Sequence, residues 1–258
     1  MAAPSATAGR KVKTMSEPAG EPLGSVDQRE VLVRVRRALG RTVSVRPAPL
    51  EPFVEPRAAE DVEALVTRFS TELNAVGGNV YRLMSGKLQF VDELATGIAD
   101  ICHSTSVTKV ALSGLSWLAE IALSDQLKAR GLSVFMTAEL GASGHEELVT
   151  QLADCGAGLT AVDYAIAETG TIVLSSDERN ALLVSLLPTI HIAVLRPMQI
   201  SAGLAEVISK LNVERVGQNM SCRSASFITG PSRTSDVELT LSIGVHGPKE
   251  LHVIIVDD

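Results

Sequence analysis

From residue 58 onward the apolar and polar positions switch repeatedly between a period near four and short unbroken apolar runs. Val62, Leu65, Val66, Phe69 and Leu73 fall on one helical stripe, and the run Val80 to Met84 then reads as a strand. A second helix passes through Leu94 and Ile98, followed by a strand at Val107 to Leu112, a helix from Ser116 toward Arg130 and a strand at Leu132 to Thr137. Strands that are apolar on both faces and alternate with amphipathic helices predict an α/β fold, with a largely parallel sheet flanked by helices. After Gly158 the runs come closer together: Tyr164 to Ala167, Thr171 to Ser175, Ile190 to Leu195, Ser226 to Thr229, Val237 to Val245 and Leu251 to Val256. One helix, carrying Leu204, Val207, Ile208 and Leu211, interrupts them. The final run, ELHVIIVDD, predicts a buried strand that tolerates no truncation.

The N-terminal region has a different texture. Residues 1–25 are rich in Ala, Pro, Gly and Ser and predict a disordered tail, within which Met15 is an alternative start. Asp27 with Glu30 resembles a capping box, and Val31, Leu32, Val35, Ala38 and Leu39 predict a short helix to about Gly40, made basic by Arg34, Arg36, Arg37 and Arg41. RPAPLEPFVEP carries four prolines in eleven residues and reads as an arm. The chain therefore divides into a tail over 1–25, a helix and Pro-rich arm over 26–57, and one domain over 58–258.

Charge and cysteine usage narrow the chemistry. A net charge of −7 and a pI near 5.3 disfavour nucleic acid as a partner. Cys102, Cys155 and Cys222 are scattered and odd in number, which supports neither a disulfide framework nor an iron–sulfur cluster and fits a reducing cytoplasm. No run approaches the length of a membrane span, and the N-terminus has no apolar signal-peptide core, so an unexported cytoplasmic protein is expected. GxGxxG after the first strand and GxxxxGK[ST] are both absent. His191, His246, His252 and Cys222 lack the short spacing of a zinc site, and no metal is expected.

Three stretches carry candidate chemistry. In ITGPSRTSDVE, a strand runs into Gly230 and Pro231, after which Ser232, Arg233 and Thr234 offer hydroxyls, a guanidinium and amides suited to a carboxylate or phosphate, with Asp236 placed to orient Arg233. In GVHGPKELH, Gly247 beside His246 allows close backbone approach, His246 can act as base, acid or donor, and Lys249 can help hold an anion. In AETGTIVL, Glu168 can be nucleophile, base or hydrogen-bond acceptor, Thr169 adds a hydroxyl, and Gly170 permits a tight turn; the structural alternative is that Glu168 only bonds neighbouring amides. Gly141, Gly144 and His145, between a strand and a helix, form a lesser anion candidate.

DYAIAETGTIVL, ITGPSRTSDVE and GVHGPKELHVIIVD, in that order, closely resemble the LUD domain of lactate-utilization proteins, specifically the lactate-utilization protein C group (LutC/YkgG-like), over roughly residues 60–257. The related B subunit carries ferredoxin-like cysteine clusters after its LUD domain, and this chain has none. The resemblance implies a fold similar to the ribose-phosphate isomerase and CoA-transferase-like (NagB/RpiA) group. It also implies a role, with iron–sulfur partner subunits, in oxidising L-lactate to pyruvate. No cofactor is expected in this chain itself. On that reading Arg233 pairs with the carboxylate of a small organic anion such as lactate, Ser232 and Thr234 donate to it, and His246 or Glu168 handles the proton. AETG is also similar to the glutamate-bearing turn of family I CoA transferases, which implies the alternative of a stand-alone enzyme acting on a sugar phosphate or acyl-CoA through Glu168. A third reading is a scaffold that engages a partner through its basic helix.

Overall fold

A computed structural model describes residues 28–40, 61–84, 90–113, 117–137, 145–176, 182–217, 224–235 and 241–257. The expectations for the 1–25 tail, the Pro-rich arm, Gly141, Gly144, Cys222 and Asp236 lie outside these residues. The chain divides into two units, Met1–Glu51 and Pro52–Asp258. In the first, α1 (Gln28–Ala38) is the predicted basic helix; Arg34 pairs with Glu30 one turn earlier at 2.7 Å, and Val31, Leu32, Val35 and Leu39 are exposed.

The second unit follows the predicted alternation through α2 (Val62–Ala75), β1 (Asn79–Met84), α3 (Phe90–Ser104), β2 (Lys109–Leu112), α4 (Trp117–Glu120), α5 (Leu123–Ala129), β3 (Ser133–Met136) and α6 (His145–Ala153), and adds a strand that the sequence does not announce, β4 (Ala157–Ala161). Then come β5 (Tyr164–Ile166), β6 (Thr171–Ser176), β7 (Ile190–Leu195), β8 (Ile200–Ser201), α7 (Leu204–Gly217), β9 (Ser224–Ile228), β10 (Arg233–Ser235), β11 (Leu241–Ile243) and β12 (Glu250–Asp257). Six strands form a wholly parallel sheet in the order β1-β12-β7-β4-β2-β3. The fold is α/β, with this sheet at its centre. A second sheet runs β8-β5-β6-β9, and β10 pairs antiparallel with β11.

Side-chain alternation along the central strands builds two cores. Ile190, Ile192, Val194, Ile254 and Val256 face α3 and α5, whereas Ala193, Leu195, Leu251, Val253 and Ile255 face α2 and the second sheet. Phe69 and Leu73 of α2, both fully buried, close the second core, and each such side chain contributes on the order of 1.5–3 kcal/mol of burial. The C-terminal strand β12 lies inside the sheet, between β1 and β7.

The single helix expected from Ser116 toward Arg130 is instead two. Ala122 sits between them in the left-handed region at φ 51°. Leu118, Leu123 and Leu127 are all buried in one cluster. Five residues separate the first two, which on a continuous helix would point them well apart; the break at Ala122 resets the phase.

Candidate functional site

His191 is the second residue of β7 and Leu251 the second of β12, and the two are register partners on neighbouring parallel strands. Together they floor a cavity of about 270 Å³ at the amino ends of the central strands. Ligands in open α/β sheets more often sit at the carboxyl ends. Here the walls come from outside the central sheet: Phe227 to Ser232 at the end of β9, His246 to Pro248 before β12, and Ser185 and Leu186 after β6.

The two sequence-predicted loops meet at this cavity. The Ser232 amide donates to the Pro248 carbonyl at 2.9 Å, and the Gly244 amide donates to the Ser232 carbonyl at 3.0 Å. Gly230, at φ 107°, makes a bend that an L side chain rarely adopts. Gly230, Ser232, His246 and Gly247 all line the cavity.

Arg233, Thr234 and Lys249 are not among the lining residues. The Arg233 guanidinium donates through Nη2 to the Val76 carbonyl at 2.6 Å, at the C-cap of α2, where a cation meets the negative end of a helix. A Cβ on Gly77 would come within 2.6 Å of that nitrogen, so the bare backbone there makes room for the guanidinium. Thr234 pairs with Ser242 across the β10–β11 hairpin, and the Lys249 stem lies over Gly244.

The AETG turn joins β5 to β6 beside the start of α7. Glu168 Oε1 accepts the Leu204 amide at 2.9 Å, and the Glu168 amide donates to the Ala202 carbonyl at 3.2 Å. Gly170 adopts φ 61°, and a Cβ on it would collide with the Leu73 backbone. Glu168 itself does not line the cavity, but a chain of hydroxyls leads there from its neighbour. Thr169 Oγ1 and Thr171 Oγ1 are 2.7 Å apart, Thr171 Oγ1 and Thr229 Oγ1 are also 2.7 Å apart, and Thr229 is part of the cavity wall.

His191, which the sequence offers only as a metal ligand, is with Ser185 one of the two most deeply buried polar side chains of the cavity. Its Nε2 lies 2.8 Å from Thr160 Oγ1 on β4, and burial pulls its pKa down to about 3, so the ring is neutral near pH 7. The one available signal was a polar residue inside the apolar run IHIAVL. His252, on the opposite face of β12, is held between the Tyr81 hydroxyl at 3.1 Å and Glu250 Oε2 at 2.9 Å. Among the described residues no three His, Cys, Asp or Glu side chains come together as a metal site, and no helix is long and apolar enough to cross a membrane.

Comparison with known proteins places this geometry in a family. The LUD domain matches residues 66–256. Lactate utilization protein C of Halalkalibacterium halodurans is 35% identical over 113 residues, 44% of this chain and 49% of that protein, so the chain spans about half the length of that relative. Protein YkgG of Escherichia coli is 27% identical over 231 residues, 89% of this chain and 97% of the relative. The crystal structure of a DUF162 family protein from Deinococcus radiodurans superposes with a TM-score of 0.54 at 22% identity, covering 77% of this chain and 100% of that one, a likeness of fold.

Proposed function

Because the chain belongs to the LUD-domain family and the matched region includes every residue of the cavity, we propose that it is the ligand-binding, accessory subunit of a lactate-utilization system. It binds a small organic anion such as lactate or pyruvate, and iron–sulfur partner subunits carry the electrons. The relatives named lactate utilization protein C support the process. The observation that carries the binding role is the convergence of two distant loops, tied by the Ser232–Pro248 hydrogen bond, on one cavity at the sheet's amino ends.

The lining suits a short acid. Hydroxyls of Ser185, Thr229 and Ser232 and the imidazole of His246 supply polar contacts, while Leu186, Phe227 and Leu251 accept a methyl group. A volume near 270 Å³ equals that of about nine waters in the liquid, ample for a three-carbon acid. Oxidising lactate requires both removal of the hydroxyl proton and an acceptor for two electrons. In this division of labour the chain binds and orients the acid, and the electrons leave through a partner.

The test is thermal unfolding of the purified chain with L-lactate, pyruvate, ribose 5-phosphate or CoA, repeated in Ser232→Ala and His246→Ala. Ligand at a hundredfold over its Kd stabilises a native state by about 2.7 kcal/mol. Stabilisation by lactate or pyruvate that shrinks in both variants is expected. Stabilisation by CoA or the sugar phosphate alone, or lactate oxidation by this chain with a simple electron acceptor and no partner, overturns the proposal.

A further inference from the structure

His191 is fully buried, lines the cavity, and has one ring nitrogen committed and one not. Nε2 is held by the Thr160 hydroxyl, whereas Nδ1 has no hydrogen-bond partner among the described residues. A buried polar nitrogen left unpaired carries a desolvation penalty that a bound molecule can remove. We infer that His191 is the inner recognition group of this site, its Nδ1 edge hydrogen-bonding an uncharged oxygen function, a hydroxyl or carbonyl, on the bound molecule. The inference rests on the reading of this cavity as a ligand site, and it fixes which end of the ligand enters first.

The surroundings decide the polarity of the ligand. Among the described residues no Lys, Arg, Asp or Glu lines the cavity, so a carboxylate driven to the floor would be desolvated with no opposite charge from them to meet it. His191 cannot supply that charge, because burial holds it neutral. His246, by contrast, is exposed at the rim, where an anionic end keeps its water. A hydroxyl both donates and accepts, so it satisfies Nδ1 in either tautomer; a carbonyl requires the tautomer with the proton on Nδ1. The backbone beside the ring is shaped to match. Gly158, the β4 register partner of His191, lies so close to the Val184 carbonyl that any side chain there would collide with the turn at Leu182–Ser185, which brings Ser185 to the wall.

The experiment follows the ring nitrogens of the uniformly ¹⁵N-labelled full chain by long-range ¹H–¹⁵N correlation, with His191 assigned from His191→Gln. Three probes separate the two ends of the ligand: L-lactate has hydroxyl and carboxylate, propionate only the carboxylate, and propane-1,2-diol only hydroxyls. Expected is a shift of the His191 Nδ1 resonance with L-lactate and with propane-1,2-diol, and none with propionate. In calorimetric titration, L-lactate should bind His191→Phe at least about tenfold more weakly while propionate is unaffected. A shift with the diol when no acid binds supports the recognition role and removes the lactate reading. Stabilisation by lactate that depends on Ser232 but leaves Nδ1 unmoved overturns the role of His191 and leaves the function standing. An equal shift with propionate overturns it too, and silence of Nδ1 toward all three probes without any binding overturns both.

Discussion

The buried, neutral imidazole of His191 links the stability of the fold to pH. Its ordinary value of 6.5 falls to about 3 in the native chain because burial disfavours the cation. Between those values the unfolded chain binds a proton that the native chain refuses, so stability falls as pH drops below 6.5 and stops responding to this group below about 3. Integrating the linkage from about pH 7 to pH 5 gives a loss of about 2 kcal/mol from this one side chain. His191→Gln keeps an amide for the Thr160 hydroxyl but removes the titration. Urea unfolding of wild type and variant at about pH 7, 6 and 5 measures the difference between them. The variant should be the less stable near neutrality, and the gap should close by about 2 kcal/mol on reaching pH 5. A gap of constant size would refute the reasoning, because it would mean that His191 takes up its proton as readily in the native chain as in the unfolded one.

Three further substitutions check the local arguments. Gly170→Ala forces a side chain into the left-handed region and against the Leu73 backbone; the strained conformation alone costs about 1–3 kcal/mol, and the unfolding midpoint should drop accordingly. Glu168→Gln keeps an acceptor for the Leu204 amide while removing a negative charge from the start of α7, so it should cost at most about 1 kcal/mol and leave ligand stabilisation unchanged. A loss of ligand binding there would instead favour a direct role for Glu168. Ala122→Gly relieves a left-handed alanine and should stabilise by about 1 kcal/mol in thermal unfolding.

How much of this was legible depends on whether the signal was local. Ile190–Leu195 was readable as a strand because three of its five apolar residues, Ile190, Ile192 and Val194, are β-branched. β4 was not, because three of the five residues of AGLTA are Ala or Gly, which are depleted in strands, and Gly158 is required by the Val184 carbonyl rather than by pairing. The left-handed break at Ala122 serves the burial of Leu118, a tertiary demand with no turn residue to announce it. In the site, Gly230, Ser232, His246 and Gly247 were visible because unusual residues crowd around them. The placement of Arg233 depends on Val76 and Gly77, more than 150 residues away in the chain, so no local pattern could reveal it. His191 was hidden for the opposite reason, since a single polar residue in an apolar strand reads first as structure.

The hydroxyl chain from Thr169 through Thr171 to Thr229 carries more than rigidity. Each hydroxyl has one proton, and hydrogen bonds in a row reinforce one another when all point the same way. The row therefore has two self-consistent polarities, and reversing one end reverses the other. A ligand that donates to Thr229 selects one polarity, and a ligand that accepts from it selects the other. The turn bearing Glu168 thus receives a single bit of information, whether the occupant of the cavity donates to Thr229 or accepts from it, without any backbone having moved.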